Sequence, residues 1–166
     1  ELPKLFGLLP KTRVEVREMQ AFRAKEAAGA DYQQGTPDGS RPGVVWVNTG
    51  DYQHRDMLSA ESTAYHEGIP GHHMQISIAQ EQTDLPPFRQ QAFYTAYVEG
   101  WALYTERLAD EMGLYEDDLA RVGMLAADSW RSCRLVVDTG IHAKGWSRQQ
   151  AIDFMVANAP VGLAEI

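Results

Sequence analysis

The chain has 166 residues, 44% hydrophobic and 23% charged, enough to enclose an ordinary globular core. Fifteen basic against 23 acidic residues give a net charge of −8, which argues against nucleic acid or an anionic membrane surface as a partner. The one cysteine, Cys133, excludes an internal disulfide, and no run approaches the roughly 18 apolar residues of a membrane span.

In chain order, Thr12 to Met19 alternates, with Val14 and Val16 on one face and Arg13, Glu15 and Arg17 on the other, so a strand is expected. Residues 29–43 are rich in Gly, Pro, Asp and Ser and read as a long loop. Gly43 to Asn48 is the best strand, closed by Asn48-Thr49-Gly50. Its edge could pair with an extended peptide. Asp56 is placed to cap a helix carrying Leu58, Ala60, Ala64 and Tyr65 up to His66-Glu67. Pro70-Gly71 interrupts that helix, and a further one runs from about His72 to Gln82. Phe88 to Met112 reads as one long helix with a core stripe through Ala92, Phe93, Ala96, Trp101, Tyr104 and Leu108, stopped by Gly113. Glu116, Asp117 and Asp118 suit the first turn of a helix reaching about Asp138, with a break at Gly140. Cys133 falls in that apolar stretch as a buried thiol. Ser147 with Gln150 forms a capping box for a last helix through Asn158, ended by Pro160. The expected fold is mainly α with a small N-terminal β element. It is read as a single domain over 1–166, with a strand-and-loop part at 1–55 and a helical part at 56–166.

Chemistry concentrates in one place. Four of the five histidines lie in the helical part, and three of them fall in eight residues, His66 to His73. His66-Glu67 is half of a zinc-peptidase signature, whose glutamate is the general base for a metal-activated water. The usual second histidine, four positions on, is replaced by Pro70, so the strict motif fails. On an unbroken helix His73 would sit about 10 Å along the axis from His66, too far to share an ion with bonds of about 2 Å. A break at Pro70-Gly71 works as a two-residue insertion and returns His72 to the second-ligand position, which favours His72 over His73.

The third ligand is expected from Glu99 or Glu106, seven residues apart and so on one helix face among apolar neighbours. Solvated carboxylates paired with Arg107 or Arg89 are the plain alternative. Gly100 leaves room beside Glu99, which is expected to lie buried in the apolar stripe from Phe93 to Leu108, and Glu106 adjoins a polar stretch, so Glu99 is expected as ligand and Glu106 as orienter of a histidine. His142 could hydrogen-bond a developing oxyanion, or simply interact with a helix dipole. Arg131 and Arg134 could hold a substrate carboxylate, or pair with Asp128 and Asp138.

His66-Glu67-Gly68-Ile69-Pro70-Gly71-His72-His73-Met74-Gln75 resembles the HExxPGHxxQ signature of the bacterial domain-of-unknown-function family 885. Three more blocks carry the resemblance: Asp38 to Gly43 with Asn48, Glu99 to Glu106, and Arg134 to His142 with Gly145-Trp146. The resemblance covers nearly the whole chain. It implies a C-terminal catalytic fragment of a longer bacterial protein, exported or a lipoprotein, with zinc-peptidase-like chemistry. More distantly the layout is similar to gluzincin peptidases, in which a glutamate on a second helix completes the site.

The expected function is zinc-dependent hydrolysis of peptide bonds, with His66, His72 and Glu99 holding the ion and Glu67 as base. The alternatives are a non-catalytic metal- or peptide-binding module and a hydrolase of a non-peptide amide or ester.

Overall fold

In a computed structural model, residues 1–50, 52–54, 57–163 and 166 are described. The chain is mainly helical with a small sheet, as its pattern predicts. It packs as two compact units. The first comprises residues 1–57 and 63–115, the second residues 58–62 and 116–166.

The first unit opens with a short helix α1 (Leu2–Leu5) and a three-stranded sheet in the order β1-β3-β2. β1 (Val14–Glu18) runs parallel to β3 (Gly43–Val47), and β2 (Ala30–Gln33) antiparallel to it. A short helix α2 (Ala21–Ala24) lies between β1 and β2 in sequence. β2 falls inside the expected loop. Its composition is poor for a strand, and it is the ladder to β3, with Tyr32 opposite Val45, that holds it extended. Val44 and Val45 are buried, each worth roughly 1.5–3 kcal/mol. Val16 is 72% exposed, and β1 beyond Val14 is exposed on both faces. β3 is central and paired on both sides, so it has no free edge for a peptide.

Asn48 follows β3 and is buried. Its amide nitrogen lies 2.8–3.1 Å from the carbonyl oxygens of Ala24, Ala27 and Ala28, and its Oδ1 accepts from Gly50 N at 2.9 Å. This clamps the turn between α2 and β2 onto the end of β3. The expected cap, Asp56, lies outside the described residues.

The helices that follow are α3 (Ala60–Glu67), α4 (His72–Glu81), α5 (Pro87–Gln91) and α6 (Thr95–Glu111). The expected single helix from Phe88 to Met112 is therefore two, parted by extended backbone at Ala92 and Tyr94. Ala92, Phe93, Ala96 and Tyr104 are exposed, and the core stripe of α6 is Val98, Ala102, Thr105, Leu108 and Ala109. Gly113, at φ 66°, stops α6 as predicted.

The second unit is built on α7 (Asp118–Lys144) and α8 (Arg148–Asn158). Asp117 caps α7 by accepting from Ala120 N at 2.9 Å. α7 does not break at Gly140. Glycine is required there because a Cβ would lie 2.5 Å from the Trp146 ring, which folds back over it. The stop comes at Gly145, φ 72°, with Trp146 N donating to Gly140 O at 2.9 Å. Ser147 and Gln150 form the predicted capping box. Cys133 is buried with Met155 and Ala159.

Candidate metal centre

The site begins as a backbone event. α3 ends at Glu67, and α4 starts five residues later at His72. Between them the Ile69–Pro70 peptide is cis and Gly71 packs directly on the end of α3. A Cβ on Gly71 would sit 1.9 Å from the carbonyl oxygen of His66 and 2.3 Å from that of Tyr65, so only glycine permits this approach. Trp101 of α6 donates from Nε1 to the Pro70 carbonyl at 2.9 Å, fixing the bend against the second helix. The result brings the His66 and His72 rings to 4.7 Å between centroids, nearly perpendicular.

Glu99 faces both imidazoles. Its oxygens lie 3.4 Å from His66 Nε2 and 3.7 Å from His72 Nε2. Glu106 approaches His66 from the other side, with Oε1 2.7 Å from Nδ1. That contact makes Nδ1–H the donor and leaves the Nε2 lone pair directed towards Glu99. Glu106 is closer to His66 than Glu99 is, but on the far nitrogen; only Glu99 faces both rings. The burial of the two carboxylates is opposite to the expectation. The Glu99 side chain is 52% exposed and that of Glu106 only 1%. Gly100 faces open space and crowds nothing towards Glu99. Glu106 is carried inward by the face it shares with Ala102, Thr105 and Ala109, and Tyr115 donates to its backbone carbonyl at 3.1 Å.

His73 is not part of this group. It is fully buried against the sheet, its Nε2–H donating to Thr12 O at 3.0 Å and its Nδ1 accepting from the Tyr32 hydroxyl at 2.9 Å. Gly43 makes space for that pair, since a Cβ there would meet Tyr32 Oη at 2.6 Å and His73 Nδ1 at 2.7 Å. Glu67 is half-buried at the last residue of α3. His142 is not among the converging residues. It belongs to the second unit and is exposed, with Nε2 4.0 Å from Asp138 Oδ2. Arg134 stacks its guanidinium 4.8 Å from the Trp130 ring centre.

Burial pushes the His72 imidazole down to about 4, with the neighbouring His66 adding to the shift and Glu99 opposing it. His72 is therefore neutral at pH 7 and keeps a lone pair for a metal. Burial also lowers His73, against the opposing Thr12 carbonyl. His72 Nδ1 is buried with no hydrogen-bond partner, so this ring lacks the carboxylate support that His66 has.

The donor set fits a divalent ion. One ligand atom each from His66, His72 and Glu99 lies within 4.8 Å of the others. Two imidazoles and a carboxylate, one imidazole backed by a buried carboxylate, are ligands suited to zinc. The signal for Glu106 was its place seven residues after Glu99; its burial was not visible in the neighbouring residue types.

The whole chain, residues 1–166, matches the family described as Bacterial protein of unknown function (DUF885), and the chain belongs to that family. It is also similar to the crystal structure of the putative lipoprotein from Colwellia psychrerythraea, with a TM-score of 0.93 and 39% sequence identity. The match covers 99% of this chain and 28% of that one, so the chain spans less than a third of that protein's length. No curated protein matches it. Among the described residues no helix is long and apolar enough to cross a membrane.

Proposed function

We propose that this DUF885 chain carries the metal centre of a zinc-dependent, gluzincin-like peptidase, part of a longer exported or lipid-anchored bacterial protein. The observation that carries the reading is the convergence of His66 Nε2, His72 Nε2 and a Glu99 oxygen, with His66 set by buried Glu106. Those three residues would hold the ion, which when bound supplies Lewis-acid polarisation of a carbonyl and makes a water more acidic. Glu106 keeps the His66 tautomer that presents Nε2. Glu67, next to His66 in the chain, takes the proton of the attacking water and returns it to the leaving amine. Its place beside the first histidine supports that role. The exported or lipid-anchored setting draws on the Colwellia neighbour.

A peptide-library cleavage assay on the whole zinc-loaded protein, with and without chelator, tests the reading. Cleavage should depend on the metal, and Glu67→Gln should keep zinc while losing most turnover. Loss of zinc in that variant would move Glu67 into the ligand set. Zinc binding without cleavage of any peptide would leave a binding module or a hydrolase of other amides or esters.

A further inference from the structure

The first unit also holds a cavity of about 560 Å³, within the usual size of a small-molecule site. Its walls come from the loop of Gly35 and Arg41, one face of α4, and Phe93, Tyr97 and Val98 ahead of Glu99. Phe93 and Tyr97 supply apolar area, and Arg41, Gln75 and Gln80 supply polar groups.

The segment carrying Arg41 is tied down. Thr36 N donates to Arg41 O at 3.1 Å, and Arg41 N to Thr36 Oγ1 at 3.0 Å. Asp38 turns back on the same loop, accepting from Ser40 N at 3.0 Å and Ser40 Oγ at 2.8 Å. Among the described residues no ion pair or hydrogen bond holds the Arg41 guanidinium. In a chain with 23 acidic and 15 basic residues, an arginine at a cavity wall with no carboxylate partner is a free anion-binding group.

The two glutamines brace the wall itself. Gln75 Nε2 donates to Tyr97 O at 3.2 Å and Gln80 Nε2 to Gly35 O at 3.4 Å. Those carbonyls fix which end of each amide is nitrogen, since a flip would set oxygen against oxygen. The two Oε1 atoms are buried and without partners. The cavity thus offers one planar cation beside apolar walls, which suits a ligand bearing a carboxylate.

The cavity shares α4 with the metal centre. Ile76 and Gln80 follow His72 by four and eight residues on one face of α4, about 6 and 12 Å along its axis. An extended chain advances about 3.3 Å per residue, so a peptide running along α4 from the centre would reach this wall within roughly two to four residues.

We infer that this cavity is a subsite for a carboxylate-bearing peptide segment, with Arg41 gripping the carboxylate and Phe93 and Tyr97 packing against the segment's apolar groups. It names a substrate class for the proposed peptidase and rests on that reading for its chemistry, but ligand binding here does not require the metal.

The test titrates the whole protein by calorimetry in chelator, where no metal-dependent hydrolysis occurs. The probes are trialanine, trialanine amide, and acetyl-Ala-Glu-Ala amide. Arg41 is exposed, so Arg41→Gln should fold normally, and a thermal melt checks this. At least one free-carboxylate probe should bind, and Arg41→Gln should weaken it by roughly 10- to 100-fold, as expected for a charge-assisted hydrogen bond. A preference for trialanine over its amide assigns a C-terminal carboxylate. Binding of the glutamate peptide alone assigns a side-chain carboxylate. No binding by any probe, or equal affinity in wild type and Arg41→Gln, overturns the inference. Because the metal is removed, either failure leaves the cleavage assay untouched, and absence of cleavage leaves this binding test untouched.

Discussion

Gly71→Ala tests how the centre is assembled. The new Cβ would lie 1.9 Å from the His66 carbonyl oxygen and 2.3 Å from that of Tyr65, whereas real Cβ contacts essentially never fall below 3.0 Å. Both atoms met are backbone, so the end of α3 and the start of α4 must separate by about 1 Å. The two histidines stand on either side of that separation, and metal-site distances tolerate only about 0.2 Å. Zinc affinity should therefore fall by ~100-fold or more, at or beyond the upper end of the effect of losing an outer hydrogen-bond partner. The metal-free protein should lose about 1–3 kcal/mol from overpacking. Gly100→Ala is the control, since a Cβ there meets nothing within 4 Å. It should bind zinc normally and gain about 0.5–1 kcal/mol of helix stability. Chelator-competition titration and urea unfolding measure both quantities. Wild-type zinc affinity in Gly71→Ala would refute the reasoning, because the centre would then not depend on the Pro70-Gly71 bend.

Glu99→Ala should weaken zinc binding more than Glu106→Ala, which should cost roughly 10- to 100-fold through the His66 orientation; the reverse order in a zinc titration would make Glu106 the ligand. The metal-free protein should lose stability as pH falls from about 6.5 towards 4. His72 is lowered to about 4 in the folded state, so over that range the unfolded chain binds a proton that the folded chain does not. Urea midpoints in chelator should fall through that window, less so in His72→Gln, and an identical slope in the variant would discount His72 as the cause. Tyr32→Phe removes one of two hydroxyls beside buried His73 Nδ1, the other being that of Ser77 at 3.4 Å, and should cost about 0.5–1.5 kcal/mol with zinc affinity unchanged; a large loss of zinc would tie His73 to the centre after all.

Local signals in the sequence located the elements whose cause is local. The Ser147–Gln150 box, the Gly113 stop, the Gly43–Val47 strand and the Pro70-Gly71 interruption each follow from residue chemistry at the spot. Elements set by distant partners were not legible. β2 exists because β3 pairs with it, and α7 continues through Gly140 because Trp146 packs where a side chain would stand. The parting of α5 from α6 at Ala92–Tyr94 carries no glycine or proline to announce it. The same divide runs through the site. The spacing of His66, His72 and Glu99 indicated residues that the fold does bring together. Glu106, not Glu99, is the buried carboxylate, because neighbouring apolar residues do not say which of two carboxylates seven apart turns inward.

The most direct test is the zinc stoichiometry of the whole protein after saturation and dialysis, compared with His72→Ala and His142→Ala. The account predicts one zinc per chain in the wild type, its loss in His72→Ala, and its retention in His142→Ala, where the histidine is exposed in the second unit. A wild-type protein that takes up no zinc, or a His72→Ala variant that keeps it, would contradict the central claim.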